Sequence, residues 1–260
     1  DSALAAALAA DALGAENVKG VLLPSPYTSP ESVEDALELA RRLGIETFTL
    51  PITEAMEIME ERLNPVFRET SWMENPAVGG NVQARLRGLM LMALSNRFGW
   101  LLISTANKSE IAVGYSTLYG DSCGAYMALK DVYKTQVYAL AKWRNAHVPR
   151  GGKVEKTQLI PARSIAKAPS AELAPGQKDE DQLPPYDVLD AILVRHIEGR
   201  ESAAQLLKKG YSREVVEQVV SMVRSSEYKR RQSPPGAKIS SMLFGRDRRF
   251  PLTNRYGKKR

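Results

Sequence analysis

Residues 100–110 read WLLISTANKSE, and this stretch decides the fold. The four apolar residues 100–103 predict a short buried strand, and hydroxyl, amide, ammonium and carboxylate groups follow it at once. In an open α/β sheet, ligands bind in the crevice outside the carboxyl ends of the strands. A carboxylate near lysines at such a place suits a magnesium ion held against phosphate groups. The stretch therefore predicts a nucleotide site at the edge of a parallel sheet.

Strand and helix patterns alternate along the sequence that leads up to this stretch. Short apolar runs predict strands at residues 19–24, 45–50 and 100–103. Apolar residues at helical spacing predict helices at residues 2–13, 29–43 and 81–97, and one that starts at Thr53. In the first of these helices, the expected apolar stripe is Leu4, Leu8 and Ala12. This alternation is typical of an α/β fold with a doubly wound parallel sheet.

The remaining segments are less regular. Residues 64–80 and 145–185 are rich in proline and glycine, and we interpret them as lids or binding loops. Residues 201–209 and 212–227 predict two short helices, so the C-terminal portion is expected to be helical. A helix at the second residue lacks the strand and loop that normally feed the first helix of such a fold. We therefore interpret the chain as a fragment whose missing part held the first strand.

Charge and cysteine content limit the possible binding partners and the cellular compartment. The net charge of +6 is concentrated in the basic tail at residues 229–260, which could bind nucleic acid, an anionic small molecule or an acidic surface, or be a solvated terminus. Cys123 is the only cysteine, so no intrachain disulfide can form and a reducing compartment, the cytoplasm, is expected. The sequence shows no signal peptide and no apolar stretch approaching the roughly 18 residues of a membrane span, so no membrane association is expected.

Nine short blocks occur in a fixed order along nearly the whole chain. They are Asp1-Ser2, Asn81-x-Gln83-Ala84-Arg85-x-Arg87, Thr105-x-Asn107-x-Ser109-Glu110, Gly114-Tyr115-x-Thr117, Tyr119-Gly120-Asp121, Lys134-Thr135, Lys167-Ala168-Pro169-Ser170-Ala171-Glu172-Leu173, Asp179-Glu180-x-x-Leu183-x-x-Tyr186 and Tyr228-Lys229-Arg230-Arg231-Gln232. Each block is weak by itself, but together and in order they are specific. They resemble the synthetase domain of NAD synthetases, in the ATP-pyrophosphatase superfamily. Of that family's phosphate loop, Ser-Gly-Gly-x-Asp-Ser, only the last two residues are present here.

The resemblance implies a fold and an activity. The fold would be of the adenine-nucleotide α-hydrolase type over residues 1–260, with a nucleotide-binding α/β core at 1–200 that lacks its first strand and half of its phosphate loop. Residues 201–260 would form C-terminal helices and the basic tail. The activity would be the ATP-dependent amidation of deamido-NAD to NAD through an adenylated intermediate, with release of AMP and pyrophosphate. Mg²⁺ would be required, and the implied partners are deamido-NAD, ATP, ammonia and further copies of the chain, without nucleic acid.

The resemblance also assigns roles to individual residues. Asp1 and Glu110 would ligate Mg²⁺, and together with Lys134 they would form the catalytic group. The residues that it implies as contacts to ATP are Ser2, Thr105, Lys134 and Ser170. Those that it implies as contacts to deamido-NAD are Asn81, Arg85, Glu110 and Lys229. Taken singly, each has a plainer interpretation: Glu110 as a helix cap, Lys134 as a surface charge, and Lys229 as part of a solvated tail.

Two departures from the sequence pattern of ammonia-dependent members indicate which branch of the family the chain resembles. Ammonia-dependent members carry a lysine where this chain has Leu118 and an aspartate where it has Ala125. The chain therefore looks more like the glutamine-dependent branch, whose glutaminase (nitrilase-like) domain lies upstream, and Cys123 is not expected to be that domain's nucleophile. Two alternatives stay open: another ATP-pyrophosphatase that amidates or thiolates a nucleotide or a tRNA base, and a basic nucleic-acid-binding module built on the helix pair at 201–227.

Overall fold

The computed structural model of the chain describes residues 1–67 and 76–253. Its strands are β1 (Lys19–Leu22), β2 (Glu46–Thr49), β3 (Ile103–Ser104) and β4 (Tyr126–Met127). Its helices are α1 (Ser2–Leu13), α2 (Pro30–Leu43), α3 (Thr53–Leu63), α4 (Pro76–Phe98), α5 (Lys108–Val113), α6 (Lys134–Ala146), α7 (Ala162–Ala166), α8 (Tyr186–Leu193), α9 (Ala203–Lys208), α10 (Arg213–Ser225) and α11 (Glu227–Arg231). A π-helical turn, Val194–Glu198, continues α8. Within the described ranges, no helix is long and apolar enough to cross a membrane.

The strands are parallel and are connected through helices, which confirms the predicted α/β class. β1 pairs with β2, from Lys19 opposite Glu46 to Leu22 opposite Thr49, and β3 pairs with β4. Over the described residues, these two pairs are not joined to one another by a strand ladder. Residues 100–102 were expected to be strand, but β3 is only two residues long, because its ladder with β4 extends over just two residue pairs. The prediction of a further strand upstream of Asp1 stays a prediction.

Helix α1 buries a different face from the one its sequence suggests. Leu8 is 39% exposed and Ala12 is exposed, whereas Leu4 and the small residues Ala7 and Ala10 are buried. The stripe through Leu8 and Ala12 was therefore wrong. In a helix that is mostly alanine, the larger side chains do not mark a single apolar stripe, and close packing of the small side chains decides which face is buried. That face packs into a cluster with Leu39 and Leu43 of α2 and Val137 of α6.

A buried ion pair joins α1 to α6. Arg144 is 2% exposed and holds both carboxylate oxygens of Asp11, with Nε–Oδ2 2.7 Å and Nη2–Oδ1 2.9 Å. The same guanidinium donates to the carbonyls of His147, Val154 and Lys156. All five hydrogen bonds are made in one fixed geometry, so Arg144 ties α1, α6 and the following segment into one unit.

The helices predicted at 201–209 and 212–227 are present as α9 and α10. The valines Val216, Val219, Val220 and Val223 of α10 are buried in a cluster that also contains Ile111 of α5 and Leu189 of α8. The helix pair thus shares a core with residues before position 200. The division into a nucleotide-binding core at 1–200 and a C-terminal portion at 201–260 stays a prediction.

Part of the basic tail is used inside the fold. Arg230 is 3% exposed and donates to the carbonyls of Ala112 and Val223. Arg248 donates to the carbonyls of His196 and Ile197. For these two residues the interpretation as a solvated terminus was wrong, because their guanidinium groups donate to backbone carbonyls inside the fold. Residues 254–260 of the tail lie outside the described residues.

The two segments interpreted as loops contain helices. In the first, α4 begins at Pro76 rather than at residue 81, and proline is well tolerated in the first turn of a helix. Residues 68–75 of that segment lie outside the described part of the chain. In the second, α7 and a short 3₁₀ turn, Asp179–Asp181, interrupt a connection that is otherwise irregular.

Candidate functional site

A groove lies between β1 and β3, two strands that no ladder joins in the described part of the chain. Its walls come from β1, from residues 100–106 around β3, and from facing residues of α1 and α4. The groove is apolar along the strands and polar at the carboxyl end of β3, where Asp1, Glu110 and Lys134 all line it. It therefore lies where an α/β sheet is expected to bind ligands, outside the carboxyl end of a strand.

Asp1 and Glu110 share a partner, Asn107, at this polar end. Asp1 Oδ1 accepts from Asn107 Nδ2 at 3.0 Å. Asn107 Oδ1 accepts the backbone N–H of Glu110 at 3.1 Å, and Glu110 Oε2 accepts the backbone N–H of Asn107 at 3.2 Å. This reciprocal pair is a capping box that starts α5. The helix start thus fixes Glu110 on the side of the groove where Asp1 lies.

Lys134 completes the cluster from the first turn of α6. Its ammonium Nζ lies 2.5 Å from Asp1 Oδ2, and the residue is buried. Burial raises the pKa of Glu110, and the charge of Lys134 opposes this rise. Burial likewise raises the pKa of Asp121, which lines the same groove. Carboxylates with raised pKa values in a cleft indicate a place where additional positive charge would be favourable.

The donor set fits a magnesium ion that is held largely by its substrate. Between residues 1–67 and 76–253, no group of three or more His, Cys, Asp or Glu side chains comes together as a metal site. Asp1 and Glu110 therefore offer two carboxylates and no complete protein cage. Mg²⁺ is usually bound by one or two carboxylates, with phosphate oxygens and water as the other ligands.

The residues predicted around ATP line the same groove. Ser2 is the first residue of α1, Thr105 directly follows β3, and Ser170 lies in the connection after α7. Ser170 Oγ accepts the N–H of Glu172 at 3.0 Å and donates to the carbonyl of Gln177, so its loop is folded back on itself. The structure thus brings together Asp1, Ser2, Thr105, Glu110, Lys134 and Ser170.

The other three predicted residues do not line the groove and instead surround the turn at 114–121. Asn81 Oδ1 accepts from Thr117 Oγ1 at 2.7 Å, and Arg85 Nε donates to the Leu118 carbonyl at 3.2 Å. Lys229 Nζ donates to the carbonyls of Gly114 and Ser116, both at 2.7 Å. Burial lowers the pKa of Lys229. These contacts hold a turn whose Thr117 lines the groove; contact with a dinucleotide stays a prediction.

Close packing brings the turn at 114–121 against α4. A Cβ atom on Gly120 would lie 2.8 Å from Ala84 Cβ, and one on Gly88 would lie 2.8 Å from the Tyr119 carbonyl oxygen. Only glycine permits this approach of a turn to a helix. The turn consequently places Asp121 in the groove wall, where its Oδ1 accepts the N–H of Thr117 at 2.6 Å.

Four further residues belong to the site although sequence reasoning gave them no role. Asn107 bridges the two carboxylates, and Tyr115, Asp121 and Asp179 line the groove. Asp179 also accepts a hydrogen bond from the buried hydroxyl of Tyr186 at 2.9 Å. All lie within the blocks that carried the resemblance, so the signal was present, but side-chain roles could not be assigned without the contacts. Cys123 is half-buried, and burial raises the pKa of its thiol, which disfavours a nucleophilic thiolate.

Comparison with known proteins defines the family. The sequence model of NAD synthase matches residues 1–233. The chain is 51% identical over 258 residues to a glutamine-dependent NAD(+) synthetase of Thermotoga maritima, covering 98% of this chain and 43% of that protein. It is 50% identical over 254 residues to one of Acinetobacter baylyi, covering 98% of this chain and 45% of that protein.

Two solved structures of related synthetases superpose on the chain. The glutamine-dependent NAD+ synthetase of Acinetobacter baumannii in complex with ADP superposes with a TM-score of 0.57 at 45% identity, over 96% of this chain and 43% of that one. The NMN synthetase of Francisella tularensis superposes with a TM-score of 0.69 at 28% identity, over 93% of this chain and 85% of that one.

The parallel strand pairs and the solved structures that superpose on the chain define an α/β protein of the adenine-nucleotide α-hydrolase type. Within that class, the chain belongs to the NAD synthase family. It spans less than half the length of the curated relatives it matches.

Proposed function

We propose that residues 1–260 form the part of a ligase that converts deamido-NAD to NAD, using ATP, Mg²⁺ and ammonia in the cytoplasm. The observation that carries this proposal is the meeting of Asp1, Glu110 and Lys134 at the polar end of one groove, in a chain that matches the NAD synthase family. Asp1 contacts both Lys134 and Asn107, and the backbone N–H of Asn107 donates to Glu110, which supports a joint role for these residues.

The reaction has two steps. An oxygen of the nicotinate carboxylate attacks the α-phosphorus of ATP, which forms an acyl-adenylate and releases pyrophosphate. Ammonia then attacks the carbonyl carbon, the bond to AMP breaks, and a proton leaves the nitrogen. Both substrates are polyanions, so their approach requires neutralising charge, which Mg²⁺ supplies when it is bound.

The residues of the chain position the substrates and stabilise charge. Asp1 and Glu110 would hold the metal ion, and Lys134 would then bind phosphate oxygens with its ammonium group. Ser2 at the start of α1, with Thr105 and Ser170, would donate or accept hydrogen bonds around ATP. Asn81, Arg85 and Lys229 would fix the turn at 114–121 against deamido-NAD. Positioning and charge stabilisation suffice for this chemistry without a covalent protein intermediate.

Ammonia would come from a glutaminase part that lies outside this chain. The supporting observation is that the curated relatives are glutamine-dependent synthetases more than twice as long as the matched region. Leu118 and Ala125 replace the lysine and aspartate of ammonia-dependent members, and this also favours a glutamine-dependent enzyme.

A hybrid enzyme tests the proposed function. In the hybrid, residues 1–260 replace the matching region of the Thermotoga maritima relative. With ATP, Mg²⁺, deamido-NAD and glutamine or ammonium, we expect equal amounts of NAD, AMP and pyrophosphate, measured by chromatography. Nicotinic acid mononucleotide and tRNA serve as competing acceptors. Preferential amidation of the mononucleotide, or modification of tRNA, would contradict the choice of deamido-NAD, and turnover with ammonium but not glutamine would contradict the glutaminase supply.

We also propose that a second copy of the chain covers the outer face of α4. Ala84 and Gly88 of this helix are buried toward the groove, whereas Leu89 on its outer face is 68% exposed. Met92 is exposed as well. At 23 residues the helix is about 34 Å long. Two copies related by a twofold axis could therefore bury a self-complementary apolar surface.

Sedimentation tests the oligomer. The parent chain is expected to sediment as a dimer at micromolar concentration, and the double variant Leu89→Glu/Met92→Glu as a folded monomer, because four charges would face each other across the interface. Ile239→Glu, which adds a charge at another exposed apolar residue, is the control and should remain dimeric. A monomeric parent, or a dimeric double variant, would contradict this interface.

A further inference from the structure

We infer that Asp190 is a positioning residue that sets the relative placement of Glu110 and Lys134. The inference rests on the proposed function and goes beyond it, because Asp190 touches neither the groove nor any of the residues assigned above. It lies on α8, is buried, and contacts the two residues that neighbour Glu110 and Lys134 in sequence.

Both carboxylate oxygens of Asp190 are used. Oδ1 accepts from Ser109 Oγ at 2.5 Å. Oδ2 accepts the backbone N–H of Thr135 at 2.9 Å and its hydroxyl at 2.8 Å. Ser109 precedes Glu110, and Thr135 follows Lys134. One side chain therefore connects the first turn of α5 to the first turn of α6.

Ser109 closes this network onto Lys134 itself. While its hydroxyl donates to Asp190, its Oγ accepts the backbone N–H of Lys134 at 2.9 Å. Ser109 is fully buried. The backbone of Lys134 is thus held by the residue next to Glu110, and that residue is held by Asp190.

The start of α6 shows why this arrangement is needed. The residue at the N-cap is Tyr133, whose side chain makes no capping hydrogen bond, whereas Ser, Thr, Asp and Asn are the usual caps. The N–H groups of Lys134 and Thr135 are bound instead by Ser109 and Asp190 from other helices. The first turn of a helix capped in this way is held by contacts from the neighbouring helices. Within α6 itself, Gln136 Oε1 accepts the N–H of Tyr133 at 3.0 Å. The position of Lys134 therefore depends on α5 and α8 as well as on its own segment.

The charge of Asp190 also favours a functional role. Its hydrogen-bond donors are neutral, and over residues 1–67 and 76–253 no cation forms a salt bridge with it. Burial raises the pKa of this carboxyl, whereas the charge of Lys134 opposes the rise. A carboxylate near a helix N-terminus stabilises that end of the helix dipole. Asp190 would therefore anchor the first turn of α6.

Steady-state kinetics of the hybrid enzyme test the inference. Asp190→Asn keeps the shape but removes the charge and one acceptor, and we expect kcat to fall about 10²-fold, as for a small misplacement of a catalytic group. KM for deamido-NAD should change much less than kcat, because three of the four residues proposed around that substrate, Asn81, Arg85 and Lys229, lie away from Asp190. The matched control is Asp247→Asn, a carboxylate that accepts the backbone N–H of Leu243 away from the groove, and its kcat should stay normal. A normal kcat in Asp190→Asn would overturn the inference.

A double variant separates positioning from a merely structural role. If Asp190 acts through Lys134, then Asp190→Asn should add little to the loss caused by Lys134→Met. Losses that multiply would overturn the inference.

Hydrogen exchange gives a readout that requires no turnover. In the 260-residue chain, Asp190→Asn should speed amide exchange at Lys134 and Thr135 and leave the middle of α6 unchanged. Unchanged exchange at these two amides would overturn the inference, whether or not the hybrid makes NAD. Absence of NAD from the parent hybrid would instead count against the proposed function.

Discussion

Glu110→Gln in the hybrid enzyme is expected to lower kcat by about 10³-fold, the upper range for removal of one preorganised charge-stabilising group. The substitution removes one of the two carboxylates at the polar end of the groove but keeps an oxygen that can accept the N–H of Asn107, so the cap of α5 survives. Initial rates of NAD formation at saturating ATP and deamido-NAD measure the effect.

The same substitution should leave the fold intact. Burial raises the pKa of Glu110, so the folded state binds this proton more tightly than the unfolded state does. Ionised Glu110 therefore costs stability as the pH rises above the unfolded pKa, and glutamine removes that cost. The melting temperature at neutral pH is expected to be unchanged or higher. Glu201→Gln, which alters a carboxylate paired with Arg195 and Lys209 outside the groove, is the control with normal turnover. Normal turnover in Glu110→Gln would show that the metal assignment is wrong.

Arg144→Met is expected to produce the largest loss of stability, about 3–5 kcal/mol, because it leaves the buried carboxylate of Asp11 without its partner. Three carbonyl oxygens also lose their donor. A loss of this size is a large part of the stability of a typical domain, so the variant should be partly unfolded at 37 °C. Urea denaturation followed by circular dichroism measures the change.

The matched control for Arg144 is Arg163→Met. Arg163 also contacts two carboxylates, Glu34 and Asp35, but its side chain is 45% exposed. Exposed ion pairs contribute little, because water and salt screen them. Arg163→Met should therefore unfold at nearly the same urea concentration as the parent. Similar midpoints for the two variants would show that the Arg144 clamp does not stabilise the fold as described.

Much of the fold could be predicted because local patterns and the global structure agree. The strand at 19–24, the helix after Ser29 and the helices on either side of Gly210 all have clear boundaries in the sequence. Ser29, for example, caps α2 through the N–H of Ser32 at 3.3 Å, as its position before a proline predicts. The α1 stripe was missed because an alanine-rich helix has no single apolar side that its sequence reveals.

The sequence identified the residues at the polar end of the groove but not the buried residues that hold them in place. Glu110 and Lys134 lie in recognisable blocks, so both were named. Asp190 lies outside every block, and its role depends on contacts between three helices that are far apart in sequence. For the basic run that contains Arg230, ligand binding and a solvated terminus both stayed open, because such a run gives no sign that one of its residues is buried. Long-range contacts of this kind cannot be inferred from spacing along one segment.

The most direct measurement is the position of a divalent cation in crystals of the hybrid enzyme grown with ADP and Mn²⁺, found from the anomalous scattering of manganese. The account predicts a single strong peak between the carboxylates of Asp1 and Glu110, at a coordination distance of about 2.1 Å, with phosphate oxygens of ADP as further ligands. A peak bound elsewhere, with Asp1 still paired to Asn107 and Lys134 and Glu110 still accepting the N–H of Asn107, would contradict it.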